Sequence, residues 1–517
     1  MSFLLLSSGF FLGWSLGAND AGNIFGPAVS TKMLNLRLTA IIASVFIILG
    51  ALLQGAGTVQ TLSNLGSVNQ IFGSFTVAFA AAISLFLMIK IKIPVSSSQS
   101  VVGAIIGWNL FAGTFTDVAT LAKIVSTWLF TPILSALIAM GLFLIYKKSF
   151  KKKPISLFKF DFFTRIGFVF LVAFSAYSLG ANNIAIVVGM FVDSAPFTPI
   201  AIFNRFIISP QFQLFFLGSL SIAIGFFTKS MKNEHTGGNA IFITGNENSP
   251  HIYGGGRGGV FLHSAFSKMS PINAFIAILA SSLVLFLFSF RGLNILLNSI
   301  HLPTIPLVPV SSSQAIIGAI IGIGIVKGAN NIQYKNFSKI ALGWVINPII
   351  ACLICFFTLF FVQNVLDQSV YKPTSYVFNQ KVFDKLHSIN IDTRGLSTLN
   401  NKTFHNARAL KSELNKLNHL KLKDKSIIAQ NAEFYQMYVS TQSLVNIRLK
   451  NHFSDAVYSP LLQLEHQYFE HKWELVDRLS EISDLWAFKP NKVANDFYNT
   501  ELEKRYELLY VMFSVGN

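Results

Sequence analysis

This chain of 517 residues is short of charge: Asp, Glu, Lys and Arg make up 12% of it, about half the share of a soluble domain. Acids are scarcest where the sequence is apolar. Residues 1–363 hold six (Asp20, Asp117, Asp161, Asp193, Glu234, Glu247) against 21 Lys and Arg, a net +15, and of the six only Asp20 falls inside an apolar run. Cysteine is almost absent. Cys352 and Cys355 share one face of an apolar helix with no other soft ligand beside them, which argues for small packing residues and against a metal or redox centre. The apolar runs hold no histidine and no nucleophile–base pair, so composition argues against an enzyme. The basic excess lies in loops between apolar runs, as in a membrane protein. It is not the footprint of a nucleic-acid-binding surface.

What the chain has in quantity is apolar sequence, 52% of its residues, with a mean hydropathy of +0.54. Segments long enough to cross a bilayer lie near 3–31, 38–57, 71–89, 95–112 and 124–146, then near 166–192, 211–228, 271–290, 306–326 and 340–362. The first lacks a basic leader and runs straight into a repeated motif, so it reads as a retained helix. The expected class is an all-α membrane protein, multi-pass in the cell membrane and in contact with the lipid bilayer. Its expected parts are a transmembrane repeat at 1–146, a basic cytoplasmic linker at 147–165, a second repeat at 166–362 with a polar insert at 229–270, and a soluble helical accessory domain at 375–517. The insert contains Gly254-Gly-Gly-Arg257-Gly-Gly without the Lys-Ser/Thr of a phosphate-cradling loop, and reads as a linker. The tail carries 19 basic and 17 acidic residues, ordinary for a soluble domain, and its acids show no conspicuous metal-ligand spacing. Basic clusters at Lys32/Arg37, Lys90/Lys92 and Lys147 to Lys153 fall in alternate loops and are expected on the cytoplasmic side. That places both termini and the tail outside the cytoplasm.

The two repeats are legible in three motif pairs. Pro-Val-Ser-Ser-Ser-Gln occurs at 94–99 and at 309–314, and the windows 94–107 and 309–322 agree at 11 of 14 positions. Ser15-Leu-Gly-Ala-Asn19 returns as Ser178-Leu-Gly-Ala-Asn182, and Trp128 with Pro132 returns as Trp344 with Pro348. Duplicated polar motifs inside apolar sequence are the mark of a transporter whose site lies at the repeat interface.

Each hexapeptide has the chemistry of an anion site. A helix N-terminus leaves backbone N–H groups unpaired and carries partial positive charge, proline suits the first turn, and the serines and glutamine add neutral donors. Ser96, Ser97, Ser98 and Gln99, with Ser311, Ser312, Ser313 and Gln314, are therefore expected to surround one tetrahedral oxyanion. The alternative is that the hydroxyls only cap and pack re-entrant helices. Asn19 and Asn23 share a helix face beside Asp20, and an intramembrane carboxylate is by default functional. Together they offer hard oxygen ligands to a small cation, or a protonatable group. Gly17, Gly22 and Gly26 are expected to let the helix break there and expose carbonyls.

Gly17-Ala-Asn-Asp20, its relative Gly180-Ala-Asn-Asn183 and the two hexapeptides resemble the inorganic phosphate transporter (PiT) family over about residues 1–362. The resemblance implies an inverted-repeat transporter fold with discontinuous or re-entrant helices. It implies cation-coupled uptake of inorganic phosphate, with sodium or protons as the coupling ion and no further cofactor. It places Asn19, Asp20 and Asn182 at ion or substrate positions, with sodium the candidate metal and Asn183 a further cation-coupling residue. The two Ser-Ser-Ser-Gln runs fall where the family binds phosphate. This chain departs from the pattern at Asn183, Gln60 and Ile278, each standing where the family carries an acid, and at Ile186, the counterpart of Asn23. Sulfate permeation by the same fold, or a membrane sensor on a degenerate transporter scaffold, are the alternative readings. Self-association into a homo-oligomer is compatible with either.

Overall fold

The computed structural model describes residues 2–515 apart from 31–33, 67, 91–94, 150–155, 193, 198–199, 203–205, 236–269, 301, 329–333, 373, 405–406, 418, 421, 450–452 and 491–494. It divides into two compact units, 1–111 with 116–291 and 305–372, and 112–115 with 292–304 and 373–517.

The first unit is built of helices α1 (Ser7–Ser30), α2 (Leu36–Gln54), α3 (Ala56–Leu65), α4 (Ile71–Lys90), α5 (Ser97–Ala112), α6 (Val118–Ser149), α7 (Leu157–Val188), α8 (Pro210–His235), α9 (Pro271–Ser289), α11 (Ser312–Val326) and α12 (Tyr334–Asn364). The first unit also holds a hairpin of β1 (Ile200–Ile202) and β2 (Phe206–Ile208), while the short α10 (Arg291–Ser299) falls in the second unit from Gly292 on. Seven of the described helices are long and apolar enough to cross a membrane. The protein is thus a multi-pass membrane protein, and every apolar segment named from the sequence contains a helix.

Of the helices in those apolar segments, α5 and α11 are short, with 16 and 15 residues. At 1.5 Å per residue each spans roughly 23 Å, short of the bilayer's ~30 Å core. α11 follows non-helical backbone from Leu302, whose last part is buried at Val308, Val310 and Ser311. Irregular backbone at membrane depth is tolerated only under such protein cover. These are the discontinuous helices expected behind the two prolines.

The pairing of the halves is written in glycines. A Cβ on Gly17 would meet Ile222 O at 2.0 Å, and one on Gly225 would meet Trp14 O at 2.0 Å, so α1 and α8 touch backbone to backbone. Gly180 meets Ile47 O and Gly50 meets Tyr177 O at the same 2.0 Å, joining α7 to α2. Each contact maps onto its partner when one half replaces the other. The half-helices repeat the pattern: Gly103 of α5 lies against Pro348 of α12, and Gly318 of α11 against Pro132 of α6, each with oxygen, Cα and carbonyl carbon at 2.1, 2.6 and 2.7 Å from a built Cβ. Each half therefore packs its helices on the other half, about a pseudo-twofold axis. Lipid tails give no hydrophobic reason for helices to associate, so close approach through small residues supplies the packing.

The structure adds detail to these expectations and corrects the one of a broken first helix. α1 runs unbroken through Gly17, Gly22 and Gly26, because Gly17 is used for its missing Cβ against α8 and not for backbone freedom. Between the apolar segments 38–57 and 71–89, α3 continues the helical structure as far as Leu65. Of the basic segment 147–165, residues 147–149 close α6 and 157–165 open α7. Residues 196–210 hold the β1–β2 hairpin. In the polar insert, residues 236–269, including the glycine-rich run, lie outside the described residues.

The second unit carries α13 (Gln380–Ser388), α14 (Ala407–Lys416), α15 (Leu422–Ala432), α16 (Thr441–Leu449), α17 (Asp455–Leu462), α18 (Lys472–Ile482) and α19 (Asp496–Phe513). Two strand pairs, β3 (Tyr376–Val377) with β4 (Thr403–Phe404) and β5 (Met437–Tyr438) with β6 (Tyr468–Phe469), tie distant segments together. One apolar core gathers Phe378, Leu386, Leu396, Leu410 and Ile428; the other gathers Leu461, Leu475, Trp486, Tyr506 and Phe513. Trp486 is fully buried and donates its indole N–H to Val457 O at 3.0 Å, the partner a buried indole needs.

Candidate functional site

α1 and α7, equivalent helices of the two halves, bring their Asn motifs together. Asp20 is fully buried. Its Oδ2 accepts from Asn183 Nδ2 at 2.6 Å, and its Oδ1 accepts from Ser312 Oγ at 2.9 Å and from Asn19 Nδ2 at 3.3 Å. One buried carboxylate thus links α1, α7 and the start of α11. Asn183 in turn accepts at Oδ1 from Asn182 Nδ2 at 2.9 Å. Asn182 clamps the backbone just before the second half-helix, donating to Val310 O and accepting from Val310 N, both at 2.8 Å. That is a complete amide pairing of the kind a strand partner makes. It satisfies extended backbone that has no ladder of its own.

The two hexapeptides meet. Ser313 Oγ donates to Val95 O at 3.5 Å, across 218 residues of sequence. Ser311 is the N-cap of α11, in extended conformation (φ −84°, ψ 116°), and accepts from Gln314 N at 3.2 Å. Ser96 and Ser98 share a hydrogen bond at 2.8 Å, as do Ser311 and Ser313 at 3.0 Å. Ser97 is half-buried. Several hydroxyls expected to face an anion are therefore engaged within the protein. The glutamines are not: Gln99 Oε1 and Gln314 Oε1 are both buried without a hydrogen-bond partner, and both residues are 1% exposed. An orphaned buried acceptor costs about 1–3 kcal/mol. The two orphaned acceptors stand at equivalent positions of the two halves. Asn23 lies in α1, and its side chain is outside the described residues.

The sequence reading missed a hub. Asn347 of α12 is fully buried and donates from Nδ2 to Ser96 O at 3.1 Å and to Ser100 Oγ at 2.7 Å, while accepting from Ser84 Oγ at 2.8 Å. It holds the start of α5 as Asn182 holds the approach to α11. Its position in the first half is Thr131, whose buried hydroxyl has no partner. Thr61 of α3 completes the surroundings, donating to Leu307 O at 2.6 Å on the extended segment.

Comparisons with known proteins agree with this architecture. The sequence model of the phosphate transporter family matches residues 16–300 and 295–445, so the likeness runs past residue 362 into the tail. A provisionally named phosphate permease of Methanocaldococcus jannaschii is 25% identical over 349 residues, 67% of this chain and 93% of that protein. The chloroplastic inorganic phosphate transporter 2-1 of Arabidopsis thaliana is 33% identical over 158 residues, 28% of this chain and 26% of its own length. Against a provisionally named phosphate permease of Chlamydia muridarum the match spans 38% of that relative. The solved structure of a sodium-dependent phosphate transporter superposes with a TM-score of 0.51 at 19% identity, covering 70% of this chain and 98% of the other. The fold is thus the inverted-repeat transporter fold.

Proposed function

Because the chain belongs to the phosphate transporter family, we propose that it is a secondary active transporter that takes up inorganic phosphate by alternating access, coupled to a cation held at Asp20. The observation that carries the substrate is the pair of buried, unpartnered acceptors Gln99 Oε1 and Gln314 Oε1 beside the two hexapeptides. At neutral pH phosphate retains O–H groups to donate to such acceptors, whereas sulfate has none. The half-helix N-termini and Ser97, the one serine of the two runs not already described as bonded within the protein, supply neutral donors for the remaining oxygens. Neutral donors release an anion more readily than a buried Arg would. The sodium-dependent relative supports sodium as the coupling ion. Asp20 and Asn19, with the nearby Asn182, fit a small hard cation.

The decisive experiment is uptake of labelled phosphate and of labelled sulfate into proteoliposomes, with sodium and proton gradients imposed separately. Phosphate accumulation driven by one gradient, with sulfate excluded, is the expected result. Uptake that follows neither gradient would overturn the coupled mechanism.

Gln99→Ala and Gln314→Ala are each expected to weaken phosphate affinity by about 1–3 kcal/mol, roughly 5- to 150-fold, and by similar factors. Phosphate binding titrated in detergent measures this. One silent replacement beside one that abolishes binding would exclude a shared site.

Transport by alternating access needs the two half-helices to be released in turn. Asn182 and Asn347 hold equivalent places on the two sides of the site, but through different residues. Asn347→Ala is expected to lower uptake through a reduced maximal rate more than through affinity, since Asn347 supports α5 from behind. Initial rates against phosphate concentration separate the two.

A further inference from the structure

We propose that Glu470, His471 and Glu474 of the C-terminal domain form a divalent-cation site, of the imidazole–carboxylate kind that suits zinc. One ligand atom from each residue lies within 4.8 Å of the others. The sequence spacing conceals this, because β6 ends at Phe469 and α18 begins at Lys472, so the three residues straddle a strand-to-helix corner. His471 is the N-cap of α18 in extended conformation (φ −132°, ψ 146°), with no side-chain capping bond. Glu474 sits in the first turn of that helix and turns back towards the corner.

The second observation is the histidine itself. His471 is fully buried, and its Nδ1 lies 2.7 Å from Glu433 O. A carbonyl only accepts, so Nδ1 carries a proton and Nε2 is the ring nitrogen left to face a ligand. Nε2 is buried and has no hydrogen-bond partner. Metal-bound histidines are oriented in this way, with the far ring nitrogen donating to a backbone carbonyl. Stacking on Trp473, with ring centroids 5.5 Å apart and planes 11° from parallel, holds the ring in place.

Both carboxylates are steadied on one oxygen only by neutral donors. Glu470 Oε2 accepts from Asn379 Nδ2 at 3.0 Å, and Glu474 Oε2 accepts from Glu470 N at 3.0 Å. Such bonds orient ligands on one oxygen, and on Glu474 the other oxygen faces only the exposed Lys381 ammonium. Two carboxylates and a neutral imidazole balance a dication. Lys381 Nζ lies 3.2 Å from Glu474 Oε1, but its side chain is 60% exposed and can leave for solvent when a divalent ion arrives. Lys472 is directed elsewhere, onto the rings of Tyr435 and Tyr510 at 4.7 and 5.3 Å. A zinc ion about 2 Å from each ligand requires modest closure of the cluster, which rotation of the two Glu side chains supplies, with water completing the tetrahedron.

The test uses the full chain in detergent, freed of its purification tag and stripped with chelator. Titration with zinc alone is expected to load one ion per chain, and cobalt in its place to give the visible absorption of a tetrahedral site. Glu470→Gln and Glu474→Gln keep an acceptor oxygen for their structural bonds and are expected to weaken zinc at least tenfold. His471→Gln should abolish the cobalt absorption. Zinc should raise the unfolding temperature of the unmodified chain and not that of Glu474→Gln, while Glu465→Gln should behave as unmodified. No zinc retained at micromolar concentration, equal affinity in all variants, or a protonated His471 paired with the two carboxylates at neutral pH would each overturn the proposal.

Discussion

Asp20→Asn is expected to abolish gradient-driven phosphate uptake while leaving measurable phosphate binding. The carboxylate is fully buried and collects bonds from Asn19, Asn183 and Ser312. Hydrogen bonds to a charged group are worth about 1.5–3 kcal/mol each, so removing the charge weakens this junction and any cation it attracts by roughly 100-fold. The N-terminus of α5 and both glutamines are untouched, and at the start of α11 only the Ser312 bond is altered, which is why binding should persist. Asn183 explains why so much rests on one acid. Its amide sits 2.6 Å from Asp20 Oδ2, where a second carboxylate would need a proton or a cation between the two. Here the amide N–H takes that place permanently, and fewer cations should accompany each phosphate. Asn183→Asp should accordingly steepen the response of uptake to cation concentration. Proteoliposome flux under imposed gradients reads both variants. Full accumulation by Asp20→Asn would remove Asp20 from the coupling site and point to passive conduction.

The repeats were legible because the motif pairs are nearly identical, and the apolar runs because burial in lipid demands uninterrupted hydrophobic helix. Asp20 stood out by being the only acid in such a run. Asn347 did not, because repeat comparison favours matched residues and its equivalent is Thr131. α3 escaped notice since Ala56–Leu65 is short and mixes Thr, Gln, Ser and Asn with its apolar residues. The serines were read as free donors, yet Ser96, Ser98, Ser311 and Ser313 pair with one another. Residue type states what a hydroxyl can donate to, and only the fold states which neighbour claims it. In the tail the amphipathic helices were visible, but the pairing of β5 with β6 joins residues about 30 apart and leaves no local signal.

Glycine is the sharpest case of a residue whose type is plain and whose use is not, and it yields the other large effect. Gly318→Val and Gly103→Val are each expected to remove most folded, monodisperse protein. A Cβ at either position would lie 2.1 Å from a proline carbonyl oxygen, where ordinary contact begins near 3.4 Å. Neighbouring glycines on the same faces, Gly322 against Ala136 O at 2.3 Å and Gly107 against Cys352 O at 2.5 Å, prevent either helix from pivoting away. Overpacking against side chains costs about 1–3 kcal/mol. Here the obstacle is backbone on a helix that contains an internal proline, so the cost should reach or exceed the upper end. Displacing α11 also moves the N-terminal turn that holds Ser311 to Gln314, and any surviving Gly318→Val protein should bind phosphate poorly. Gly141→Val is the control, since a Cβ there meets nothing within 4 Å on the same helix α6. Yield and dispersity on size exclusion, followed by thermal unfolding in detergent, compare the three. Normal folding and transport by Gly318→Val would mean that α6 and α11 do not touch through their backbones, and that the contact equivalent to it in the other half needs a different explanation.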